Sequence, residues 1–367
     1  MTEKIIGTRL RELRKELGLS QKELSCLLGF KDRQTVSAIE TGIRRLSADE
    51  LLLSMDKLGA TLDYFTDPFR LDGKVQFSWR QSGVGKAELC EYEKTASCWI
   101  GAYLALSKKT GHPMPFMRHS LNLNKQSKLI DAVNAGEKFA AKFELGAVPA
   151  RRLASIMEEL LGILVLMVDA YRGISGAACR LPDLDVVLID RGEVAGRRNF
   201  DLAHELFHIL TWDSMPPDHI ENTSETGGGW VEKLADSFAA ALLMPRVSLK
   251  KYGEWKYLDR EALIVRLNDA AEEMEVTSSA LRWRLVALGQ LTADKARSVP
   301  ETALYYNGRD SRAETPSLFS RSFLDVLSRG IDQGLLSARR AASLTHLTIE
   351  DLNELFSVYK INQAIKL

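Results

Sequence analysis

Two histidines four residues apart, His204 and His208, stand in the run "NFDLAHELFHIL", whose other positions are mostly apolar. An α-helix brings positions i and i+4 onto one face, so this spacing asks for a buried helix that aims both imidazoles at one point. Glu205 then sits about 100° further round the same helix, close enough to reach a water held at that point. The run therefore reads as a helix with a candidate divalent-cation site, and the plainer alternative is an amphipathic helix with surface histidines.

A metal with two imidazole ligands needs a third donor, and the sequence downstream offers one. After a glycine bend at residues 227–229, "WVEKLADSFAAALLMP" has the spacing of a second amphipathic helix, with Glu232 and Asp236 on one face. Catalytic zinc commonly takes three protein ligands and leaves a fourth position to water, which makes His204, His208 and Glu232 the expected metal ligands. His219 stays open as an alternative third ligand. Asp236, one turn on, is placed to accept the outer N–H of a ligating histidine, and Glu205 is the expected catalytic base. The longer pattern HExxHxxGxxH is excluded, because Thr211 and Ser214 stand where its glycine and third histidine belong. Tyr171, Arg172 and Arg198 are unranked candidates for a donor to the transition state.

At 367 residues the chain exceeds one ordinary core, so two or three units are expected. Lys plus Arg and Asp plus Glu both number 49, so any nucleic-acid partner has to be met by a local patch rather than by net charge. The four cysteines form no CxxC pair, which argues against a disulfide framework and a thiolate zinc cage. The longest apolar run, "LLGILVLMV", is too short to span a bilayer, and a soluble, cytoplasmic protein is expected.

Residues 1–66 read as short helices. "IIGTRLRELRKELG" closes at Gly18, "SQKELSCLLG" opens with the Ser20/Glu23 capping box, and further helices are expected within "DRQTVSAIETG" and "SADELLLSMDKLG". Residues 67–86 are rich in turn formers around one short alternating strand and read as a linker. Residues 87–295 follow as a unit of helices around three β-rich runs, 163–168, 174–181 and 185–190, joined by turns short enough for a small antiparallel sheet. Within it "ISGAACRL" is a candidate edge for an added substrate strand, since Gly176 and two alanines permit close backbone approach. Residues 296–367 read as a helical C-terminal region. The fold class expected is mostly α with a small β-sheet (α+β).

"NFDLAHELFHIL" followed by "EKLADSFAAALLMP" resembles the ImmA/IrrE-type zinc metallopeptidases, which pair HExxH with a downstream ExxA(N/D)xFAxxLLMP helix. The likeness takes in "ISGAACRL", "DVVLIDRG" and "EVTSSALRWRLVALG", roughly residues 75 to 290. It implies a zincin-like peptidase domain with Zn2+ on His204, His208 and Glu232 and with Glu205 catalytic. Arg282 and Arg284 in the last of these stretches admit two readings, peptidase-domain packing or a second DNA-reading helix.

The run from Leu19 to Phe65 resembles the Xre/Cro-type helix-turn-helix through its SQ-x-E-L start, the Gly29 turn, "TVSAIETG" and the closing "LGATLDYF". The resemblance implies a second short helix that enters the major groove. Gln34 suits adenine, Thr35 and Ser37 are short polar side chains on the same helix, Lys31, Arg33, Arg44 and Arg45 can meet phosphates, and Gln21 can dock on the backbone. The interval from Gly29 to Thr35 is one residue longer than that pattern, which leaves the register of the reading helix open by one position. Leu24, Leu27, Val36 and Ile39 are expected in the core.

Together the resemblances imply a DNA-binding regulator that is also a zinc endopeptidase, acting on a repressor or antitoxin-like protein or on its own linker near residues 66–85, in a stress, phage or toxin–antitoxin response. Double-stranded DNA with a palindromic operator, a protein substrate and a second copy of the chain are the expected partners, with no membrane. Two other readings remain: a zinc-sensing transcription factor without proteolysis, and an antitoxin-like binding module.

Overall fold

Ser20, Asp32, Ser47 and Thr61 each accept a hydrogen bond from the backbone N–H three residues on, and each starts a helix. These caps punctuate the first part of the chain into α1 (Thr2–Glu16), α2 (Gln21–Leu27), α3 (Arg33–Glu40), α4 (Ala48–Leu58) and α5 (Leu62–Thr66). The Asp32 cap settles the register, because it fixes Arg33 as the first residue of α3. This computed structural model describes residues 2–71, 75–115, 117–222, 229–304 and 315–361. The chain divides into two compact units, residues 1–75 with 93–106, and residues 76–92 with 107–367.

In the first unit Leu10 and Leu13 of α1, Leu24 of α2, Val36 and Ile39 of α3, Leu58 and Phe65 close one core. Leu27, expected inside, is 40% exposed, and Leu28 is the residue that packs beside Leu24 in its place. Gly7 lets α1 cross α3: a Cβ there would sit 2.0 Å from the Ile39 carbonyl oxygen. Beside that crossing the buried Glu40 carboxylate takes Arg14 Nε at 2.5 Å and Gln21 Nε2 at 2.9 Å, tying α1, α2 and α3 together.

The second unit holds a five-stranded sheet ordered β2–β4–β3–β1–β5, from β1 (Gln76–Gln81), β2 (Ile163–Val168), β3 (Ile174–Arg180), β4 (Asp185–Asp190) and β5 (Ile220–Asn222). The short strand expected within residues 67–86 is Gln76–Gln81, which pairs antiparallel with β3 and parallel with β5. The β-rich runs, expected to be antiparallel, are not all so. β3 and β4 form a hairpin, but β2 runs parallel to β4, as suits an apolar strand buried on both faces. A further consequence is that "ISGAACRL" is no edge. β3 lies between β4 and β1 and is buried along its whole length, so its backbone is already paired on both sides.

The helices are α6 (Lys86–Lys109), which divides between the two units, and in the second unit α7 (Leu129–Lys142), α8 (Ala150–Glu159), α9 (Ala195–Thr211), α10 (Trp230–Leu243), α11 (Arg246–Leu249), α12 (Arg260–Met274), α13 (Ser278–Ala287) and α14 (Ala293–Ser298). α9 lies on β3 and β4 with residues Asp201 through Thr211 all buried, so its polar side chains face protein. α7 crosses α10 closely at Gly136, where a Cβ would come 2.5 Å from the Phe238 carbonyl oxygen. Phe139, Phe207 and Phe238 fill the space beneath, and truncating one such ring to alanine costs about 3–5 kcal/mol.

Ala296, Val299 and Leu304, at the start of the expected C-terminal region, lie in the same core as α9 and α10. Beyond them α15 (Arg321–Asp332), α16 (Ala338–Thr345) and α17 (Ile349–Val358) follow. Phe319 N–H donates to Met167 O on β2, and Ser322 Oγ donates to Glu158 of α8 at 2.8 Å. No described helix is long and apolar enough to cross a membrane.

Candidate metal centre and DNA-reading helix

His204 and His208 face one another across a single turn of α9, with Nε2 to Nε2 at 3.0 Å, and both rings are fully buried. Glu232, in the first turn of α10, brings Oε2 to 3.1 Å from His204 Nε2 and Oε1 to 3.6 Å from His208 Nε2. A tetrahedral ion bound at about 2.0–2.1 Å to each of three donors holds those donors about 3.3 Å apart. The three observed spacings fit that geometry, and these residues are the group among the described residues that could hold a metal ion.

Chemistry agrees with spacing. Asp236 Oδ1 lies 2.9 Å from His204 Nδ1, so in the neutral ring Nδ1 carries the proton and Nε2 presents its lone pair inward. Two imidazole nitrogens and a carboxylate oxygen then converge, and three electron-rich atoms this close require a cation among them. Without a metal that demand falls on His204. Burial and the Arg80 guanidinium disfavour a charge on it, but hydrogen bonds to Asp236 and Glu232 outweigh both and push it up to about 10. Burial, then the charge on His204, pushes His208 down to about 3. Burial opposes the charge on Glu232, yet its bond to His204 and both histidines bring it down to about 2.

Glu205 points from α9 toward the sheet, its carboxylate wholly buried, and the missing side chain of Gly176 on β3 makes the room. A Cβ on Gly176 would lie 3.7 Å from Glu205 Cγ. This, rather than an open edge, is the close approach that Gly176 permits.

His219 is exposed and stands outside the cluster. Of the candidate donors, Arg198 is turned away to the carbonyls of Arg191 and Glu193, Tyr171 packs on Tyr92 and is 41% exposed, and Arg172 is exposed. The cation that reaches the ligands was not among them. Arg80, on β1, sets Nη1 2.7 Å from His204 Nε2 and Nε 3.2 Å from Asp201 Oδ1. The alternation in "VQFSWRQ" was its only trace in the sequence.

In the first unit, Lys31, Arg33 and Gln34 are exposed around the start of α3, and Thr35 and Ser37 are partly buried. Thr35 Oγ1 donates to the capping Asp32 at 3.0 Å, so its hydroxyl is already engaged. Gln21 is held by Glu40. Arg44 pairs with Glu50 at 2.6 Å and lies over the Phe30 ring, while Arg45 is exposed. Arg282 and Arg284, by contrast, are buried: Arg282 donates to the Ala296 and Val299 carbonyls and to Glu301, Arg284 to the Met244 carbonyl and to Glu137. They pack the domain.

Comparison with protein families matches residues 10–65 to a helix-turn-helix model and residues 161–286 to the IrrE N-terminal-like domain. Comparison with curated proteins gives no match.

Proposed function

We propose that this chain, a helix-turn-helix segment joined to an IrrE N-terminal-like domain, is a DNA-binding regulator whose second domain is a zinc-dependent endopeptidase. The single observation that carries the reading is the convergence of His204, His208 and Glu232 with Glu205 beside them. When bound, zinc supplies Lewis acidity toward a peptide carbonyl and lowers the pKa of water. The chain does the rest. Asp236 holds the His204 ring in the tautomer that presents Nε2, Glu205 accepts the proton of the attacking water and returns it to the leaving amine, and the buried walls of α9 and β3 exclude bulk solvent. A purely structural metal site has no use for a carboxylate in the position of Glu205.

On the DNA side, Lys31, Arg33, Arg44 and Arg45 meet phosphates, Gln34, Thr35 and Ser37 read base edges from α3, and Gln21 docks α2 on the backbone of a palindromic operator bound by two copies. The protein substrate is a repressor or antitoxin-like partner, or the chain itself near residues 66–85. The protein acts in the cytoplasm.

To test this, new protein N-termini are enriched from cells making wild type or Glu205→Gln, with bound zinc measured on both purified proteins. Cleavage requires zinc in both and N-termini that appear with wild type alone. Equal N-termini together with equal promoter control would leave zinc sensing without proteolysis as the function.

A further inference from the structure

Arg80 Nη1 stands 2.7 Å from the nitrogen of His204 that a metal needs, and that nitrogen has one lone pair to give. A bound ion about 2.0–2.1 Å from that nitrogen leaves no room for a guanidinium there, so the two exclude one another. Arg80 reaches the place from β1, with its side chain 17% exposed, and its neighbours are carboxylates: Asp201, Glu205, Asp236 and Glu232 all act on it. Together with His204 it supplies the positive charge of this acidic, buried cluster.

The guanidinium also has somewhere to go. Asp201 is one turn before His204 on α9 and buried, and its Oδ1 already holds Arg80 Nε. Its other oxygen, Oδ2, is buried and has no hydrogen-bond partner among the described residues. An arginine fork and a carboxylate pair through two parallel N–H···O bonds, and here one of the two is made while the second acceptor waits beside it.

We infer that Arg80 is a resident counter-cation which a metal ion displaces, its Nη1 leaving His204 for Asp201 Oδ2, so that metal uptake is an exchange of one cation for another on β1 and α9. The inference rests on the metal-site reading above. Arg80 is a positioning residue in this scheme: it sets how readily the site takes and holds its ion. Removing it strips the metal-free state of its compensating charge and spares the loaded state a repelling one, and both effects favour metal.

The test is a zinc titration of the full chain against a competing chelator at fixed pH, for wild type, Arg80→Met, Asp201→Asn and the double variant, with His204→Ala as the control. Arg80→Met should bind zinc roughly tenfold more tightly and, metal-free, unfold at a lower temperature. Asp201→Asn should weaken zinc binding, and weaken it much less when Arg80 is already methionine, because an Arg80–Asp201 contact that stayed the same would cancel from the affinity. Arg80→Lys, which keeps the charge without the fork, should fall between wild type and Arg80→Met and serves if the methionine variant does not fold. Unchanged or weaker zinc binding in the Arg80 variants, or strictly additive effects, overturns the exchange. Zinc binding equal in wild type and His204→Ala overturns the metal site itself.

Discussion

Asp236 Oδ1 lies 2.9 Å from His204 Nδ1, across the contact between α10 and α9. This carboxylate touches no ion in the proposed arrangement, yet it determines which nitrogen of His204 is free to bind one. Partners of this kind are worth about 10–100-fold in metal affinity. Asp236→Ala should therefore lower zinc affinity by about that factor while leaving the fold intact, since the side chain is half exposed and its removal opens no cavity. Chelator competition on the purified variant reads it; an affinity equal to wild type would show that Asp236 does not orient the ring.

Gly176 should be as sensitive as any ligand, for a steric reason. A Cβ there meets the Leu188 carbonyl oxygen at 3.0 Å and Ile189 Cδ1 at 3.2 Å, with Glu205 Cγ just behind. The larger Gly176→Val change has to push Glu205 out of its place on the sheet, in a core strand where overpacking costs about 1–3 kcal/mol. The expected outcome is lost cleavage with zinc still bound and a melting temperature lowered by several degrees. Retained cleavage would mean that Glu205 works from another position.

In the first unit the matching element is Glu40. Its carboxylate is buried and bridges Arg14 and Gln21, so Glu40→Ala leaves Arg14 without its charged partner and costs about 3–5 kcal/mol. Operator affinity should fall with the melting transition of this unit, and Arg14→Met combined with Glu40→Leu should recover much of the stability. A Glu40→Ala protein that melts and binds DNA as wild type does would remove this bridge from the account.

How far the sequence disclosed these sites depended on whether the signal was local. His204, Glu205 and His208 are set by one helical turn, and Glu232 with Asp236 by another, so spacing alone placed all five on helices that meet. The caps at Ser20 and Ser47 were equally legible, because a capping box is written within four residues. Arg80 was hidden because it lies 124 residues from His204 and joins the site only through strand order, with β1 inserted between β3 and β5. The same non-locality concealed the parallel pairing of β2 with β4 and the burial of β3, for an apolar run reads alike at an edge and in the middle of a sheet. Leu27 failed differently: Leu28, one residue on, is the side chain that follows Leu24 into the core, and Leu27 is left turned outward.

Glu158 gives a prediction on stability that needs neither zinc nor DNA. It is half-buried on α8, where its carboxylate accepts from Val165 N–H at 3.2 Å and from Ser322 Oγ of α15 at 2.8 Å. Burial raises its pKa above the ordinary 4.5, and the hydrogen bonds from Ser320, Ser322 and Val165 only partly offset the rise. The folded protein therefore binds this proton more tightly than the unfolded chain does. The stability Glu158 contributes is fully present below the unfolded value and is lost as pH climbs through the folded one. Glu158→Gln keeps an acceptor for Val165 and cannot ionise, so it removes that loss. Relative to wild type it should gain stability as pH rises from the acid end toward neutrality, with little difference below the unfolded value. Paired thermal melts across that range measure the slope. A difference that stays flat with pH, or runs the other way, would show that Glu158 is as comfortable charged in the fold as in water.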